Sequence, residues 1–172
     1  MKTIPFSPPD ITDEEIKEVV DTLKSGWITT GPKTKEFERQ IAEYCGTDRA
    51  VCLNSATAAM ELALHILGIG EGDEVIVPAY TYTATASVVC HVGATLKMCD
   101  IQSDRFEMDY DKLADLITEK TKVIMPVDIA GRMCDYKRIF EVVESKKDLF
   151  KPANDIQKGY GRAIVLTDGA HS

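Results

Sequence analysis

Apolar and polar positions along this chain follow first one period and then two in alternation. Thr12 precedes Asp13, Glu14 and Glu15, an N-cap followed by acids that suit the positive end of a helix dipole. Ile16, Val19, Val20 and Leu23 then share one face, and Gly26 marks the stop. Residues 27–32, WITTGP, read as a turn-rich loop that holds the only tryptophan. A second amphipathic helix is predicted over 34–44, with Phe37 and Ile41 inward and its end at Gly46. Before all of this, Pro5, Pro8 and Pro9 make the first ten residues an extended arm.

From residue 50 onward short apolar runs alternate with helical patterns. Strands are predicted at 50–53, 74–77, 95–98, 123–125 and 163–166, and helices at 56–67, 83–91, 109–117 and 136–143. Residues 145–162 read as one long polar connection, with five lysines or arginines interspersed. Strands and helices alternating at this spacing predict an α/β fold on a largely parallel sheet. No internal repeat and no low-complexity tract is present.

Composition narrows the classes. A chain of 172 residues, 44% hydrophobic and 28% charged, can bury one sizeable core. Its 28 acids against 20 bases leave a net charge of −8, which argues against a general nucleic-acid surface. No apolar run approaches the roughly 20 residues of a membrane span, and MKTIPFSPPD lacks a secretory apolar stretch, so the cytoplasm is expected. The five cysteines include no CxxC pair, and His65, His91 and His171 stand far apart. Neither a metal site nor a redox pair is expected, and the cysteines are read as reduced, structural side chains.

In α/β folds ligands sit beyond the carboxyl ends of the strands. That rule singles out residues 54–57, 78–85, 126–131 and 168–172. NSATAAMELAL (54–64) runs from a strand through small residues into a helix, so free N–H groups and the helix dipole can hold a phosphate; a plain N-cap explains the same residues. GIGEGDE (68–74) follows a helix rather than a strand, so it is a helix C-cap and turn, not a dinucleotide loop. Tyr80 and Tyr82 in PAYTYTATAS sit where rings have no evident core role and can stack on a flat ligand, or cover a sheet edge. Asp168, in VLTDGAHS, places a carboxylate directly after an apolar strand, where it needs a cation, a metal or several donors, or serves as a helix cap.

Taken in chain order, these segments resemble pyridoxal-phosphate enzymes of the aspartate aminotransferase fold, and more closely the DegT/DnrJ/EryC1/StrS sugar aminotransferase family. The resemblance rests on SGWITTGPKTKEFE (25–38), NSATAAMELAL (54–64), GDEVIVPAYTYTATA (72–86), VGATLKMCDI (92–101), TKVIMPVDIAG (121–131) and TDGAHS (167–172). It implies a three-layer α/β/α large domain with a mostly parallel sheet, incomplete here. Residues 1–34 would be an arm, helix and substrate-side loop, and residues 35–172 the first part of the domain that binds pyridoxal 5'-phosphate. By the same resemblance Ala56 and Thr57 match the phosphate-binding pair, and Tyr82 the ring stacked on the pyridine. Asp168 matches the partner of the protonated ring nitrogen, which lets the ring accept electrons, and His171 stands near the ring hydroxyl. Asp128 stands where the family often has His.

The family's Schiff-base lysine lies some tens of residues beyond the aspartate motif, so the resemblance places it after Ser172, in a larger parent protein; no lysine present takes its place. The implied activity is transfer of an amino group, from glutamate, to a nucleotide-linked keto sugar by a homodimer. Two alternatives stay open. One is sugar dehydration, if histidine stands at the lysine position. The other is a non-catalytic chain acting only by association.

Overall fold

The computed structural model describes residues 4–5 and 8–172. The arm expected over the first ten residues therefore falls partly outside the described residues. The chain divides into two compact units, Met1–Cys52 and Leu53–Ser172.

The first unit is a pair of helices, α1 (Asp13–Ser25) and α2 (Pro32–Cys45). Thr12 caps α1 in a capping box with Glu15, whose carboxylate accepts from both the N–H and the hydroxyl of Thr12. Gly26 and Gly46 close the two helices in the left-handed conformation, as their positions in the sequence predict. The apolar faces form but are not covered by the described residues. Ile16, Val19, Val20 and Leu23 are 38–64% exposed, Phe37 and Ile41 are also exposed, and only Ala42 in these helices is buried. Helix periodicity specifies a face, not the surface that covers it. The strand expected at 50–53 is also absent. A strand exists only through a ladder partner, and no described segment pairs there; the N–H of Cys52 donates to the carboxylate of Glu38 instead, at 2.8 Å.

The second unit is a three-layer α/β/α sandwich. Its elements are α3 (Ala56–Ile66), β1 (Glu74–Pro78), α4 (Thr83–His91), β2 (Thr95–Cys99), α5 (Tyr110–Leu116), β3 (Thr121–Ile124), α6 (Tyr136–Ser145), α7 (Asp155–Tyr160) and β4 (Ile164–Val165). All sheet pairs are parallel, in the order β2-β1-β3-β4. Period-2 alternation sorts the strand side chains between two cores. Val75, Val77, Val123 and Met125 pack with Met60 and Leu64 of α3 and Val88 and Val89 of α4. Ile76 and Ile124 face the other way, onto Leu113 of α5 and Ile139, Val142 and Val143 of α6. GIGEGDE is the expected cap: Gly68 has φ 67°, and the Ile69 N–H reaches the Leu64 carbonyl at 3.0 Å.

The stretch 145–162 is not a continuous connection. It carries a 3-10 turn, Lys147–Leu149, and α7, which Asn154 caps. Asn154 Nδ2 and Gln157 Nε2 both donate to the carbonyl of Leu67, at 2.9 and 2.8 Å, and Gln157 is fully buried. These polar anchors replace the apolar stripe by which sequence pattern recognises a helix.

Candidate active site

The strand order reverses at β1. From there the chain steps outward through α4 to β2, then crosses back past β1 to β3 and on to β4. Such a reversal leaves a crevice beyond the strand ends, because successive connections part to opposite faces. A cavity of about 360 Å³ lies there, within the roughly 300–1,000 Å³ usual for small-molecule sites. Its walls come from three strand ends: Tyr80, Thr81 and Tyr82 after β1, residues 127–129 after β3, and Asp168, Ala170 and His171 after β4.

Asp168 is 6% exposed. Its main chain continues the sheet beyond β4: its N–H donates to the Pro126 carbonyl at 2.9 Å, and its carbonyl accepts from the Asp128 N–H at 3.1 Å. Its carboxylate accepts from the Thr85 hydroxyl at 2.7 Å on Oδ2 and from the Ala170 N–H at 3.1 Å on Oδ1. No salt bridge reaches it among the described residues.

The two tyrosines separate. Tyr80 stacks on Phe106, with ring centroids 4.8 Å apart and planes at 23°, so its partner is within the protein. Tyr82 is 81% exposed and lines the cavity. His171 lines the same cavity, and its Nδ1 accepts from the Ala130 N–H at 3.3 Å. That bond leaves the neutral ring's proton on Nε2. Ala130 has φ 54° and Gly131 φ 75°, making the tight turn that brings residues 129 and 132 together.

Asp128 is buried on the cavity wall. It accepts from the Cys134 N–H at 2.9 Å and from the Tyr136 hydroxyl, 2.8 Å from each oxygen. Burial, and next the Asp128 charge, push the Cys134 thiol up to about 12, and burial with the Asp109 charge pushes Cys99 up to about 11. Burial of this kind keeps both thiols in the weakly nucleophilic protonated form at neutral pH.

Ala56 and Thr57 stand elsewhere, at the start of α3, and are not among the residues that wall the cavity. Ser55 caps that helix through its side chain on the Ala58 N–H; helix geometry leaves the first N–H groups without intrahelical acceptors. Of the sequence-predicted residues, then, Tyr82, Asp168 and His171 come together around one cavity, and the α3 pair forms a separate feature. Thr85 and the Asp128 network were not predicted. Thr85 lies in the segment 78–85 that the strand-end rule selects, but only the sheet order reveals which hydroxyl reaches Asp168. Among the described residues no cluster of His, Cys, Asp and Glu can hold a metal ion, and no helix is long and apolar enough to cross a membrane.

This sheet, with its site at the carboxyl ends, is the fold of pyridoxal-phosphate-dependent aminotransferases. Within that class the chain belongs to the DegT/DnrJ/EryC1/StrS aminotransferase family, whose model matches residues 9–150. It is 43% identical over 142 residues to the spore coat polysaccharide biosynthesis protein SpsC of Bacillus subtilis, covering 83% of this chain and 36% of SpsC. It is likewise 43% identical over 144 residues to a UDP-4-amino-4-deoxy-L-arabinose–oxoglutarate aminotransferase of Shewanella sediminis, covering 84% of this chain and 37% of the relative. Among solved structures, the PMP form of the sugar aminotransferase Spr1654 from Streptococcus pneumoniae is 62% identical with a TM-score of 0.97, over 99% of this chain and 43% of that one. The PLP form of the same protein matches at the same identity and TM-score. A GDP-4-keto-6-deoxymannose-3-dehydratase is 26% identical with a TM-score of 0.83, over 99% of this chain and 42% of that one. The chain thus spans about two fifths of the length of the relatives it matches. Pyridoxal phosphate is the cofactor of this enzyme class.

Proposed function

We propose that the complete protein transfers an amino group from an amino acid, with glutamate as donor, to a keto sugar carried on a nucleotide. The observation that carries this reading is Asp168, a buried carboxylate with two neutral donors and no ion-pair partner among the described residues, on the wall of a cavity. A buried charge of this kind calls for a cation. The described residues fit pyridoxal 5'-phosphate: the carboxylate has acceptor capacity left for a ring N–H, and an exposed aromatic ring stands on the same cavity wall. When bound, that cofactor supplies a ring that accepts electrons from the reacting carbon. In this reading Asp168 keeps the proton on the ring nitrogen, Tyr82 covers the ring face, and His171 donates from Nε2 to the ring hydroxyl. The N–H groups of Ala56 and Thr57 hold the phosphate at the start of α3. The Schiff-base lysine stands beyond Ser172 in the complete protein, which works as a cytoplasmic homodimer.

The test is Asp168→Asn in the full-length protein, followed by cofactor absorbance and by amino transfer from glutamate. Loss of bound cofactor is expected; an unchanged spectrum with unchanged turnover refutes the assignment. The likeness to the GDP-4-keto-6-deoxymannose-3-dehydratase supports a second reading, sugar dehydration on the same cofactor. Product analysis separates them, since transamination yields an amino sugar and dehydration yields a deoxy sugar without incorporated nitrogen.

A further inference from the structure

Thr85 donates to Asp168 without itself lining the cavity. Thr85 stands in the first turn of α4, wholly buried, with its Oγ1 2.7 Å from Oδ2 of Asp168, 83 residues further along the chain. The same oxygen lies 2.9 Å from Oγ1 of Thr81. A threonine hydroxyl carries one proton, and an ionised carboxylate only accepts. The Thr85 proton therefore goes to Asp168, and Thr81 is the donor in the second contact. The hydroxyls form a chain with one direction, from Thr81 on the cavity wall through Thr85 to the carboxylate.

Two further observations place the effect of this chain on the carboxylate itself. The Asp168 backbone is held independently, by the Pro126 carbonyl and the Asp128 N–H, so Thr85 is not needed to fix the main chain. An ionised carboxylate offers about four acceptor positions. Thr85 takes one on Oδ2 and the Ala170 N–H takes one on Oδ1, which leaves a free position on each oxygen.

We propose that Thr85 is a positioning residue: with Thr81 behind it, Thr85 fixes the orientation of the Asp168 carboxylate, so that its free acceptor positions face a cationic ring nitrogen. The inference rests on the reading of Asp168 given above, and the two can be separated. The full-length protein is titrated with pyridoxal 5'-phosphate and with its deaza analogue, in which carbon replaces the ring nitrogen. An intact site prefers the natural cofactor. Thr85→Val shrinks that preference by roughly ten- to a hundredfold, the worth of one hydrogen bond to a charged group, and Thr85→Ser restores it. A purely structural threonine would weaken both ligands alike. An unchanged preference in Thr85→Val, with or without a general loss of affinity, overturns the proposal. Absence of any preference in the unaltered protein overturns the Asp168 reading instead. Should Thr85→Val fail to fold, Thr85→Cys is compared with Thr85→Ser, because a thiol of similar shape is a poor donor; equal preference in those two is again a refutation.

Discussion

Removing the Asp128 side chain by Asp128→Ala leaves two hydrogen-bond donors without their acceptor. One is the Cys134 N–H at 2.9 Å, on a buried residue. A buried donor left unpaired costs about 1–3 kcal/mol. The other is the Tyr136 hydroxyl, which is half-buried and can turn to solvent, so its loss falls near the bottom of that range. Together they cost on the order of 2–4 kcal/mol, or roughly 4–16 °C in melting temperature for a domain of this size. Asp128→Asn behaves differently. The amide oxygen can still accept from Cys134 and the amide nitrogen can donate to the Tyr136 oxygen, so both contacts persist and the expected loss is about 1 kcal/mol or less. Urea unfolding and calorimetry of the two variants read these values directly. The reasoning fails if Asp128→Ala costs under about 1 kcal/mol, or if Asp128→Asn costs as much as Asp128→Ala.

Three smaller expectations accompany it. Burial pushes the Glu74 carboxyl up, but donation from Thr118, Lys97 and Thr121 outweighs it and holds the group below its ordinary value. Its stabilising contribution is therefore present above the unfolded carboxylate pKa and is lost as pH falls through the folded value. Glu74→Gln should lose on the order of 1 kcal/mol at neutral pH and approach the parent in acid, as urea midpoints at several pH values will report. Thiol labelling of the native protein near pH 8 should modify the exposed Cys45 and Cys90 and spare Cys99 and Cys134; rapid labelling of either buried thiol contradicts the burial described above. Ala130→Gly keeps the N–H that reaches His171 and removes the left-handed strain, gaining at most about 1 kcal/mol because glycine also frees the unfolded chain. A loss of more than about 1 kcal/mol in thermal unfolding would show that the methyl group packs usefully.

Periodicity and end signals alone determined most of the local structure. The acids after Thr12, the glycines at 26 and 46, and the alternating runs around Ile76 and Ile124 encode helices, stops and strands through nearest-neighbour chemistry, and these elements formed within a few residues of expectation. The strand-end rule likewise located the cavity segments within 78–85, 126–131 and 168–172, though not 54–57, because in a parallel sheet every strand delivers its carboxyl end to the same side. Partnership was decided only in three dimensions. Residues 50–53 have strand character without a ladder neighbour, and the stripe through Ile16, Val19, Val20 and Leu23 lacks a cover among the described residues. Tyr80 and Tyr82 look alike in sequence, yet one stacks on Phe106 and the other stands open on the cavity wall. Thr85 reads as one threonine among several until the sheet order sets α4 beside the end of β4 and brings its hydroxyl to Asp168. Propensity and capping act over a few neighbouring residues, and a sequence displays them openly. Which groups meet across 83 residues of chain depends on the order in which strands pair, and that is a property of the assembled sheet.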